Sequence, residues 1–130
     1  MRKIKHFIFI MVLAAMLIPT KADAAWEGDD HMKLTPLIWQ KSVTYNTKSG
    51  TLKACVSMVD NSNNTYTIDA YEDDGNLGLT KLGAVSMKGN ACAYFYNVEA
   101  DGDNGYAEVY FRLGNARYSD DLVKLDVYLQ

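Results

Sequence analysis

The chain has 130 residues, with 13 basic and 16 acidic side chains, two cysteines and a formal net charge of −3. That length is one domain's worth of chain. An acidic balance without basic clusters argues against nucleic acid and anionic lipid, because phosphate contacts need concentrated Lys and Arg.

The opening, "MRKIKHFIFIMVLAAMLIPTKADAAW", sets Arg2, Lys3 and Lys5 before an apolar run from Phe7 to Ile18, then closes on Ala22-Asp23-Ala24. A cationic start, an apolar middle and a small-residue cleavage site make a secretory signal peptide, expected at 1–24. The apolar run is short of the roughly 20 residues that span a bilayer. Cleavage leaves 25–130 as one exported domain, bacterial in the style of its signal and with no cysteine at the cut to carry lipid. It keeps 9 of the 13 basic and 15 of the 16 acidic residues, a net charge of −6. No later stretch is apolar enough for membrane insertion.

"AWEGDDH" at 25–31 is polar enough to be expected disordered, and Pro36 in "KLTPLIW" implies an edge strand or a break. From there the chain alternates with period two. "TLKACVSMV" puts Leu52, Ala54, Val56 and Met58 on one face, and "TYTIDAY" does the same with Tyr66, Ile68 and Ala70. "GYAEVYFRL" sets Ala107, Val109, Phe111 and Leu113 inward, and "LVKLDVYLQ" sets Val123, Leu125, Val127 and Leu129. "KSGT", "KGN" and "DNG" read as hairpin connectors, with longer loops at 60–64 and 114–121. The expected fold is all-β: an antiparallel sandwich of seven or eight strands, with a small barrel as the alternative.

Cys55 and Cys92 both fall mid-strand, and an even count in an exported chain reads as a disulfide. It would join neighbouring strands or tie two sheets together. Trp26 and Trp39 both precede Cys55, so the immunoglobulin signature of a tryptophan between the cysteines is absent.

His31 is the one histidine beyond the signal segment, which leaves little for Ser-His or Cys-His catalysis or for a zinc site. A carboxylate hydrolase would need an acid in an apolar setting, for which Glu108 and Asp69 are the candidates. A non-enzymatic role is the reading preferred. Acidic groups recur in two stretches, "YEDDGNLGLTKLG" with Glu72, Asp73 and Asp74, and "EADGDNGYAEVYF" with Glu99, Asp101 and Asp103. Calcium takes six to eight hard oxygens, which separate loops can pool. Over these two loops alone the chain resembles C2-type sandwiches, and the resemblance implies calcium held between loops. The EF-hand pattern fails: counted from Asp101 the sixth residue is Tyr106, and from Glu99 it is Asn104, where glycine is required. The plain reading of 99–111 is an acidic hairpin turn; the sharper one is a shared calcium site.

Tyr94, Tyr96, Tyr106, Tyr110 and Tyr128 fall on the expected outer faces and form a candidate binding face, because tyrosine offers apolar area and a hydroxyl at small entropic cost. The expected role is a secreted binding module or inhibitor-like effector that recognises an extracellular protein or a cell-surface glycan. A self-associating envelope or matrix protein is the other alternative to the hydrolase.

Overall fold

The structure, a computed structural model, describes residues 25–59, 63–101, 104–118 and 121–130. The expected signal peptide and Asp103 lie outside the described residues. Among the described residues nine strands form: β1 (Ala25–Leu34), β2 (Gln40–Lys41), β3 (Tyr45–Thr47), β4 (Gly50–Met58), β5 (Thr65–Asp73), β6 (Leu79–Lys88), β7 (Ala91–Val98), β8 (Ala107–Gly114) and β9 (Asp121–Leu129). They build two antiparallel sheets, one in the order β1-β9-β4-β7 and the other in the order β2-β8-β5-β6, with β3 also on β8. The fold is therefore the expected sandwich. It has nine strands because the edge partner of β8 is split: Ser42 interrupts it, its backbone N–H donating to the Phe111 carbonyl and its Oγ accepting from the Phe111 N–H.

The alternation falls as read. Leu52, Ala54 and Val56, Tyr66, Ile68 and Ala70, Val109, Phe111 and Leu113, and Val123, Leu125 and Val127 are all buried between the sheets. Phe95 packs on Phe111 at 5.6 Å between ring centroids. Burying such side chains is the main favourable contribution to the fold, about 1.5–3 kcal/mol for each large one.

Two expectations change, and at Pro36 one of the two expected outcomes is found. "AWEGDDH" is not disordered: it is most of β1, paired with β9 from Ala25↔Leu129 to Leu34↔Asp121. Ladder hydrogen bonds do not depend on side-chain polarity, and Met32 and Leu34 anchor the strand in the core. The Pro36 region is a break between β1 and β2. The connectors "KSGT", "KGN" and "DNG" do not close hairpins, since each carries the chain from one sheet to the other. A short glycine turn sets how sharply the chain reverses, and here it reverses across the sandwich instead of along a sheet. Among the described residues the one hairpin between paired neighbours is β5–β6, turned by a 3-10 segment at Gly75–Leu77.

Cys55 and Cys92 form the disulfide and are direct register partners in β4 and β7. The bridge therefore links neighbours within the four-stranded sheet, on its outer side. Such a bridge belongs to a non-reducing compartment. No helix among the described residues is long and apolar enough to cross a membrane.

Candidate metal centre

Inward positions of β5 run Tyr66, Ile68, Ala70 and then Glu72, so the last core-facing place of an apolar register holds a carboxylate. Glu72 is 7 % exposed. Its carboxyl points to the end of the sandwich where the β5–β6 turn meets the connection from β7 to β8. There Glu72, Asp74 and Asp101 each offer an oxygen, the three within 4.8 Å of one another. The two segments reach this point by their own hydrogen bonds. Asp73 Oδ1 accepts from the Gly75 N–H at 3.0 Å, and the Asp74 N–H donates to the Gly78 carbonyl at 2.9 Å, which folds the β5–β6 turn. The Asp101 N–H donates to the Tyr106 carbonyl, and the Asp101 carbonyl accepts from the Gly105 N–H, each at 3.0 Å. Gly105, at φ +75°, supplies the left-handed turn residue.

No lysine or arginine among the described residues is ion-paired with these carboxylates. Burial raises the Glu72 pKa first, and the charges of Asp74, Asp101, Glu99 and Glu108 raise it further. The Asp101 pKa is raised too, by desolvation, by the charges of Asp74 and Glu108, and by carboxyl hydrogen bonds to both. Glu72 has no hydrogen-bond donor of its own among the described residues. A buried charge is stable when it is paired or bound to a metal. Glu72, Asp74 and Asp101, with Glu99 and Glu108 near enough to act on Glu72, offer a donor set of hard oxygen alone. Depressions of about 370 and 380 Å³ flank the cluster, and Asp74 and Asp101 line both.

The expected metal residues thus divide. Glu72, Asp74 and Asp101 meet, and Glu99 lies close enough to shift Glu72. Asp73 is spent on the turn. Glu108, read from sequence as a hydrolase candidate, belongs to this cluster and accepts from Asn104 Nδ2 at 2.8 Å. The other candidate, Asp69, is 2 % exposed and held by Arg112 at 3.1 Å (Nε to Oδ1) and 2.7 Å (NH2 to Oδ2). Trp39 and Tyr71 cover that guanidinium at 5.0 and 4.8 Å. Trp39 lies so close over Gly114 that a Cβ there would collide with its ring. Asp69 is thus a structural anion. His31 sits exposed on β1.

The five tyrosines do not share one face. Tyr94 and Tyr128 lie on the four-stranded sheet and flank Lys53, whose Nζ is 5.9 Å from each ring centroid. Tyr96 is exposed further along β7, and Tyr106 is exposed just before β8. Tyr110 is buried on the outer side of the five-stranded sheet, stacked on Tyr71 at 5.4 Å and capped by Lys41 at 4.1 Å. Alternation gives the face of each strand but not which sheet the strand joins, and that is why the strip divides. The sequence reading missed Trp26 and Lys53, whose alignment depends on register across strands distant in the chain.

The family model described as "YndA coiled coil domain" matches residues 27–125. In this chain that span is strand and turn, with no α-helix among the described residues. No curated protein matches the sequence. A solved chain described as "Crystal structure of PirA" is similar at a TM-score of 0.41 and 10% identity, over 87% of this chain and 99% of that one.

Proposed function

The chain belongs to the YndA coiled coil domain family, a description that names neither ligand nor reaction, and we propose from the chain's own surface that it is an exported, non-enzymatic binding module carrying a calcium ion in the loops at one end of its sandwich. The observation that carries the calcium reading is Glu72, a residue only 7% exposed whose carboxyl has no donor among the described residues and faces Asp74 and Asp101. A divalent cation there would offset the mutual repulsion and replace the missing donors. Export is supported by the disulfide together with the expected signal peptide.

The test is the thermal midpoint of oxidised protein in EDTA and then in millimolar calcium. A ligand bound only by the folded state adds about 2.7 kcal/mol at a hundredfold excess over its dissociation constant. The expected result is a rise of several degrees with calcium, absent in Glu72→Gln and in Asp101→Asn. An unchanged midpoint in the parent protein would sink the calcium reading. A second reading rests on the same carboxyl, because an acid whose pKa is raised by burial beside other carboxyls is also the equipment of a glycoside hydrolase. Sugar release that persists in EDTA and vanishes in Glu72→Gln would favour it.

A further inference from the structure

The outer face of the four-stranded sheet carries a second constellation that uses none of these carboxylates. Trp26 is the register partner of Tyr128, Tyr128 of Lys53, and Lys53 of Tyr94. One row therefore crosses β1, β9, β4 and β7, about 14 Å from end to end at the usual strand spacing. The row faces outward because Leu52, Ala54, Ala93, Phe95 and Val127 beside it face the core. Trp26 is 59% and Tyr94 41% exposed.

Lys53 sets the chemistry of the row. Its ammonium sits between two rings, and no carboxylate among the described residues is ion-paired with it. The acids of the neighbouring row are engaged elsewhere: Lys124 Nζ lies 3.5 Å from Asp126 and 3.6 Å from Asp29, and Trp26 Nε1 donates to Asp126 at 3.3 Å. An uncompensated cation on an aromatic strip, in a molecule that is otherwise acidic, is complementary to an anionic ligand with flat apolar faces. A strip without a cavity suits an extended chain over a small molecule. A peptide would need free backbone groups to pair with, and mid-sheet the backbone is already paired. A sugar ring needs only its C–H face for stacking, and a carboxylate on that ring reaches the ammonium in a charge-assisted hydrogen bond.

We propose that this row binds an acidic polysaccharide, with pyranose rings stacked on Trp26, Tyr128 and Tyr94 and a uronate carboxylate on Lys53. The proposal rests on the binding-module reading and gives that module a ligand class. It does not depend on the metal.

The probes are polygalacturonate, alginate and fully methyl-esterified polygalacturonate, in affinity electrophoresis of the whole oxidised protein in EDTA, so that calcium cannot bridge protein and polymer. At least one acidic polymer is expected to retard the protein, and the ester, which has the same backbone without the charge, is not. Lys53→Met should weaken retardation about tenfold, the worth of one charge-assisted hydrogen bond. Lys53→Arg should restore it, and Tyr94→Ala should weaken it by a similar factor. No retardation by either acidic polymer, equal retardation by the ester, or an unaffected Lys53→Met overturns the proposal. Equal retardation by the ester would leave a binding module standing, whereas new reducing ends in the polymer would overturn the non-enzymatic reading instead.

Discussion

Glu72 contributes a pH dependence of its own to the stability of the calcium-free protein. Burial and four neighbouring acids raise its pKa in the fold, so the folded state holds that proton more tightly than the unfolded chain does. The sign follows from linkage: stability from this group is present in acid, below the ordinary carboxylate range, and is lost as pH rises through the raised value. Asp69, three residues earlier, is also buried, but Arg112 reaches its Oδ2 at 2.7 Å, whereas Glu72 faces only other acids. The comparison that isolates Glu72 is therefore parent against Glu72→Gln, in EDTA. At neutral pH the variant is expected to melt higher than the parent, and the gap should close as pH falls through the carboxylate range. A constant gap across that range would contradict the argument. Both acids sit in one alternating stretch, and the sequence shows that stretch to be a strand. Their different fates depend on Arg112 and Asp101, more than 25 positions away in the chain.

Among the elements, β7 depends most on one covalent bond. It is an edge strand of its sheet, paired with β4 alone, and the Cys55–Cys92 bridge joins that pair near the start of β7, one residue in from the Val56↔Ala91 end of the register, across a separation of 37 residues. Closing such a loop in the unfolded chain is worth roughly 3–4 kcal/mol on the entropic model. Replacing both cysteines with alanine should cost about that much in urea denaturation, while a change under about 1 kcal/mol would show that β7 holds without it. The disulfide and the inward faces of β4, β5, β8 and β9 were legible because they follow from local alternation and a cysteine count. The connections were not, because "KSGT", "KGN" and "DNG" have the composition of hairpin turns and nothing local says that the next strand enters the opposite sheet. β1 was lost for the opposite reason: its residues are poor strand formers, and its place is fixed by β9, which is nearly a hundred residues later.

On the scale of the molecule, sandwich architecture was readable from strand spacing, and strand order was not. The order has a particular shape. β1 pairs with β9, β2 and β3 pair with β8, and β4 pairs with β7 and β9. Among the described residues none of the first four strands pairs with another of the four. A chain ending before β9 would leave β1 without a partner and β4 with one, so it is expected to lack the near-ultraviolet dichroism and protease resistance of the whole protein. Folding of the complete chain should fall in the millisecond-to-second range of sandwiches dominated by distant pairings. The same order bears on how the protein is made. Strands β1 to β4 have nothing to pair with until β7, β8 and β9 are made in turn, so the leading part of the chain stays open until late in synthesis. A chain that cannot fold from its front remains threadable through a narrow pore until its final residues have followed.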